Sequence, residues 1–210
     1  MNKILLIVAV LIGLSLAFIV NPKRADAGTV MVDEHTLAIT GTTNQFMATK
    51  VSIFMEQNDV KRVVMWGEGG DFFAGLSIGY YLKKKGVTIQ IPTGRRCVSS
   101  CAFAALSAEK LMLGGELWLH RPYRPTYSPE TSLADIETDA QGAGMHQAHY
   151  FYHMDLPIRF LQEVIAETNQ CSYYVIDSSL AINKFMSGGY DSDGWSNGFA
   201  RRLKDDCDKL

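Results

Sequence analysis

Apolar side chains recur along this chain in three rhythms: alternating, continuous, and helical. Thr36 to Thr40 alternates larger with smaller side chains around Ala38 and is β-prone, the pattern of a strand. Gly41-Thr42-Thr43-Asn44 follows as a turn that closes on a helix N-cap. Phe46, Met47, Val51, Phe54 and Met55 then mark one face of a helix over Gln45 to Gln57. Arg62 to Trp66 is a short apolar run, as in a strand covered on both faces, and Gly67-Glu68-Gly69-Gly70 is expected to break it. Asp71 opens a second helix with Phe72, Leu76, Tyr80 and Leu82 inward. It ends at Lys85-Gly86, where glycine is the usual C′ residue. Val87 to Ile91 is the next strand and Pro92-Thr93-Gly94 a loop. Ser99 to Ala108 reads as a helix of small residues, and Lys110 to Leu113 and Glu116 to His120 as two short strands around Gly114-Gly115.

Strands alternating with helices predict βαβ units and a parallel sheet, so the fold class is α/β. After His120 the rhythm changes. Arg121 to Pro129 is a Pro/Tyr-rich loop. Thr131 to His153 is a long polar helix weakened by Gly142 and Gly144, and Pro157 to Thr168 is a cleaner helix with proline at its start. Ser178 to Met186 reads as one more helix, capped by Asp177. From Ser187 the chain is rich in Gly, Asp and Ser, so 187–210 is expected to be a loosely attached polar tail.

The N-terminus stands apart. Lys3 precedes an uncharged run from Ile4 to Val20, and Ala25-Asp26-Ala27-Gly28 offers a small-residue cleavage site. Residues 1–27 are therefore expected to be a signal peptide. An uncleaved anchor is the rival reading, because about 20 apolar residues span a bilayer. Both export the domain, here bounded as 28–186, to the periplasm or beyond. Losing Lys3, Lys23, Arg24 and Asp26 takes the net charge from −2 to −4. A mildly acidic domain argues against a nucleic-acid partner. The four cysteines, Cys97, Cys101, Cys171 and Cys207, are an even set in an exported protein and predict disulfides. Sequence does not choose among the three pairings. A direct Cys97–Cys101 bond can form in a non-helical turn but is strained within a regular helix. Zinc is disfavoured, since no second close cysteine pair stands beside Cys97-x3-Cys101.

Three features in order carry candidate chemistry. Gly69-Gly70 follows a buried strand, where glycines let backbone N–H groups face outward. Ser99 and Ser100 stand at the start of the next helix, beside its unpaired N–H groups. His120 ends an apolar strand and is followed by Arg121-Pro122. Each alone has a plain structural explanation: a turn, a helix cap, a buried polar residue.

Their order resembles the Clp protease proteolytic subunit and its relatives in the Clp-peptidase/crotonase fold. The run Cys97-Val98-Ser99-Ser100-Cys101-Ala102 behind an export signal is similar to a group of periplasmic Clp-like proteins. The resemblance covers about residues 35–186 and implies repeated βαβ units with C-terminal helices. It makes Ser99 the nucleophile, with Ser100 one register off as runner-up, and His120 the general base. Gly70 N–H and Ser100 N–H become the oxyanion donors. The third triad member would fall near Tyr173, where this chain has no carboxylate. Either Asp177, aligned with a helix cap, reaches His120 through a local shift, with Asp155 a poorer candidate, or another group orients the imidazole, or the site is a weak dyad or inactive. A serine peptidase acting on peptide or protein is therefore expected, self-associating by analogy, without cofactor or metal and without a Clp ATPase. A non-catalytic binding module is the alternative. Crotonase-type chemistry lacks an acyl-CoA supply outside the cytoplasm. His146, His149 and His153 recur on one helix face at a spacing that can hold a metal. With Tyr150 and Tyr152 interleaved and no carboxylate at a matching offset, they read as a solvated or interfacial face.

Overall fold

The computed structural model describes residues 28–122, 128–168, 172–177 and 200–204. The expected signal peptide, the Ser178 to Met186 helix, Cys171, Cys207 and the rest of the tail lie outside the described residues.

Among the described residues nine strands form one sheet: β1 (Gly28–Met31), β2 (Thr36–Thr43), β3 (Arg62–Gly70), β4 (Thr88–Ile91), β5 (Arg96–Val98), β6 (Lys110–Leu113), β7 (Glu116–Leu119), β8 (Ser172–Ile176) and β9 (Ala200–Lys204). The helices are α1 (Gln45–Gln57), α2 (Phe72–Lys85), α3 (Ser100–Ala105), α4 (Leu133–His153) and α5 (Ile158–Glu167). The fold class is the expected one, mixed α/β with parallel βαβ units followed by C-terminal helices.

The organising strand is β3. Its first half pairs parallel with β4, from Arg62↔Thr88 to Val64↔Gln90. Its second half pairs parallel with β5 at Gly67↔Cys97. The sheet therefore parts into two wings, one running β3-β4-β6 and the other β3-β5-β7-β8-β9. This corrects the expected break at Gly67: the glycine run continues the strand to Gly70. It does so because β2 also runs on, through the expected turn to Thr43, with a register shift between Thr40 and Thr42. A side chain at Gly67 would overlap the Gly41 carbonyl there, so the close approach needs glycine.

Helix ends follow local chemistry. Asn44 caps α1 by accepting from the Met47 amide at 2.9 Å, and Asp71 caps α2 from the Ala74 amide at 2.6 Å. Gly86 closes α2 in the left-handed conformation, φ 60°. Ser132 caps α4 through the Asp135 amide. The helix expected over Ser99 to Ala108 is shorter, only Ser100–Ala105. The core lies between the sheet and α1–α3 and is extended by α4 and α5. Val51, Val63, Leu82, Ile89, Leu117 and Phe160 are each fully buried in it. Tyr150 of α4 is buried as well, and its hydroxyl donates to the Phe103 carbonyl at 2.8 Å. Burial raises the Tyr150 pKa well above the ordinary phenol value. Gly79 of α2 makes room for it, since a Cβ there would overlap the phenol oxygen.

Four strands were not expected: β1, β5, β8 and β9. The last corrects the tail over 200–204, where the chain pairs antiparallel with β8, from Ser172↔Lys204 to Ile176↔Ala200.

Candidate active site

Three adjacent parallel strands deliver the candidate residues to one edge. β5 pairs with β7 from Arg96↔Glu116 to Val98↔Trp118. Ser99 follows Val98 and His120 follows Leu119, so both leave their strands at the carboxyl end. Gly69 and Gly70 end β3 on the other side of β5. In open α/β sheets this is the end where ligands bind.

Ser99 has φ 55° and ψ −123°, outside the regions L-residues favour. Such a residue costs on the order of 1–3 kcal/mol and persists only when its surroundings over-determine it. Four features hold this one. The Ser99 amide donates to the Trp118 carbonyl at 2.7 Å. Its carbonyl accepts from the Phe103 amide at 3.0 Å, which starts α3. A disulfide joins Cys97 in β5 to Cys101 in α3, with the Cα atoms 5.2 Å apart. Gly69 lies against the turn, and a Cβ on it would come within 2.7 Å of Ser99 Cβ. Ser99 occupies the cap position of α3, yet its side chain makes no capping hydrogen bond, and the residue is half-exposed. The plain-cap explanation thus fails for its hydroxyl.

Ser100 differs. It is 1% exposed, packed where Gly75 of α2 leaves space, and its Oγ has no hydrogen-bond partner among the described residues. The runner-up serine is closed off from any substrate. Gly70 has φ 142° and sits against Thr43, whose carbonyl would overlap a Cβ there. The Asp71 amide that follows donates to the same carbonyl at 2.9 Å.

His120 is 6% exposed, just inside the core rim. Its Nδ1 lies 2.7 Å from the Arg121 carbonyl oxygen. A carbonyl only accepts, so Nδ1 carries the proton and Nε2 is the acceptor nitrogen. Burial holds the His120 pKa below the ordinary histidine value, and the bond to Arg121 works against that shift.

Asp177 is not the group that orients His120. β8 runs antiparallel to β7 with Leu119↔Tyr174 and Leu117↔Ile176. Extending that register puts Tyr173 beside His120 and Asp177 beside Glu116. The two ends lie about 13 Å apart at roughly 3.3 Å per residue. Tyr173 meets the imidazole edge to face, with ring centroids 5.3 Å apart. Sequence reasoning missed Tyr173 as a neighbour of His120, although the position expected for the third triad member pointed to it. The Arg121 carbonyl, which no side-chain motif could reveal, takes the orienting place at Nδ1.

Asp177 instead lines a cleft of about 680 Å³ on the β3-β5-β7 wing, which contains neither Ser99 nor His120. There Arg95 stacks over Trp66 and Arg96 over Trp118, at 5.4 and 4.9 Å. Arg96 also pairs with Glu68 at 3.0 Å.

No protein-family model matches the chain, and no curated protein matches it. Among solved structures it is similar to a serine-to-alanine variant of the 1510-N membrane-bound stomatin-specific protease. That likeness has a TM-score of 0.51 at 14% identity, over 71% of this chain and 74% of the other. The fold is Clp-peptidase-like. A lysine-to-alanine variant of the same protease, in complex with a substrate peptide, gives a TM-score of 0.47 at 14% identity, over 74% of each chain. At 14% identity the first of these likenesses speaks for the fold alone.

Proposed function

We propose that this protein is an exported serine peptidase-like hydrolase that cleaves peptide or protein substrates. The observation that carries this reading is Ser99 itself: a strained, half-exposed serine whose hydroxyl is not spent on its helix. In the proposed reaction Ser99 Oγ attacks the scissile carbonyl carbon and its proton passes to His120 Nε2. The N–H groups of Gly70 and Ser100 stabilise the oxyanion. Collapse breaks the C–N bond, His120 protonates the leaving amine, and water hydrolyses the acyl-serine by the same route. Self-association is proposed by analogy with Clp-type enzymes.

The displacement of Asp177 favours one second reading, a binding module that keeps the fold without the reaction. Labelling the mature domain with a fluorophosphonate separates the two. The adduct is expected on Ser99, lost in Ser99→Ala and retained in Ser100→Ala. Absence of any adduct on folded protein would overturn the catalytic reading in favour of binding.

A further inference from the structure

The outer face of α4 carries a cluster that the reaction above does not use. His149 and His153 stand one turn apart and exposed. Their Nε2 atoms are 3.0 Å apart and their ring centroids 4.3 Å. Tyr80 reaches across from α2, its hydroxyl 3.3 Å from His149 Nδ1. The Tyr80 ring is itself set edge to face against buried Tyr150, with centroids 5.4 Å apart. The phenol therefore rests on the core rather than on solvent alone.

We propose that His149 and His153 form a two-nitrogen site for a divalent first-row transition ion, Zn²⁺ or Cu²⁺, with Tyr80 orienting His149. Metal–imidazole bonds run about 2.0–2.1 Å. Two such bonds place their nitrogens about 3.3–3.4 Å apart at a tetrahedral angle and about 2.9 Å apart at a right angle. The 3.0 Å separation falls between these limits. Both geometries are reached by ring movements of a few tenths of an ångström. The chemistry of the set agrees. Imidazole suits zinc and copper, and copper(II) tolerates the right-angled arrangement. A metal-bound imidazole typically donates its other ring N–H to an acceptor that fixes its tautomer. The Tyr80 oxygen can accept from His149 Nδ1, which turns the Nε2 lone pair toward His153. Two lone pairs so directed repel unless a cation or a proton stands between them. The remaining coordination positions open to water.

The surrounding groups are otherwise engaged. His146, one turn back, sets its ring edge to face against Phe73 at 5.1 Å. Lys83 turns its ammonium to the Asp155 carboxylate at 3.1 Å and the Met154 carbonyl at 3.2 Å. An ion held here ties two successive turns at the end of α4 together and, through Tyr80, to α2.

The test is calorimetric titration of the tag-free mature chain with zinc chloride and, separately, copper chloride at neutral pH. One ion per chain is expected. His149→Ala and His153→Ala should each weaken binding at least tenfold. Tyr80→Phe, which keeps both ligands, should weaken it by about 10-fold or more, and His146→Ala should leave it unchanged. Ring-proton NMR of the unaltered chain gives a second readout independent of the variants' folding: the His149 and His153 signals should move together on titration. Full-strength binding in the His149→Ala, His153→Ala double variant would overturn the site. So would unmoved ring signals up to millimolar ion, which would leave only a hydrogen-bonded imidazole pair. Unchanged affinity in Tyr80→Phe would remove the orienting role.

Discussion

At the scale of single residues, the proposed reaction turns on what Ser99 and His120 are prevented from doing. Ser99 does not cap its helix: at φ 55° and ψ −123° its side chain makes no hydrogen bond to the α3 amides. His120 cannot invert its tautomer without giving up the 2.7 Å bond to the Arg121 carbonyl. A general base must be neutral, and burial holds His120 neutral to a lower pH than an exposed histidine, whose ordinary value is 6.5. The rate of Ser99 labelling should therefore rise with pH through a midpoint below 6.5. A midpoint above that value would contradict burial as the dominant influence. Stability follows the same group. Below its ordinary pKa the unfolded chain binds a proton at His120 that the folded chain resists. The His120 contribution is thus present above 6.5 and is lost as pH falls toward the lower folded value. Comparing denaturant midpoints of the unaltered chain and His120→Gln across that window should show a shallower acid decline in the variant.

At the scale of elements, the decisive unit is β5, the Ser99 turn and α3. The Cys97–Cys101 disulfide spans that unit, one cysteine on each side of the serine. Both cysteines are buried, so Ala fits either position without exposing polar atoms. If the disulfide helps to hold a conformation worth about 1–3 kcal/mol of strain, its loss lets the turn relax. The Cys97→Ala, Cys101→Ala variant should label at Ser99 roughly tenfold more slowly, since about 1.4 kcal/mol is a factor of ten in rate. Circular dichroism should stay unchanged. An equal labelling rate would mean that Gly69 and the Trp118 carbonyl hold the turn by themselves.

At the scale of the whole molecule, the second wing of the sheet is closed by the end of the chain. β8 is paired on both sides, by β7 and by β9, so residues 200–204 shield an edge that would otherwise present open backbone groups. Removing residues 188–210 should cost on the order of 2–5 kcal/mol at about 1 kcal/mol per net hydrogen bond. It should also promote self-association through β8. Denaturant unfolding and light scattering would show both effects, and a truncated chain as stable and monodisperse as the full one would show that β9 contributes little.

Local pattern alone determined the elements whose period is long or whose caps are explicit. The α1 and α2 spans, the Asn44 and Asp71 caps and Gly86 were legible, as were the strands at β2, β4, β6 and β7 and the α/β class itself, whereas Phe46 and Tyr80, expected on the apolar stripes, are exposed. Motif order also singled out Ser99, His120 and the glycines at the end of β3. Other features belonged to the tertiary structure. β5 is only three residues long and carries no periodicity; it exists because β3 and β7 supply partners on both sides. Gly67–Gly70 reads as a break until the matching irregularity in β2 lets two backbones run close together. Sequence preferred Ser99 and kept Ser100 as runner-up; the burial of Ser100 against Gly75 is a fact only the packing supplies. Asp177 was misplaced for a related reason. Proximity across an antiparallel pair depends on register, and register is set by how side chains of both strands meet the core, a quantity that no single segment encodes.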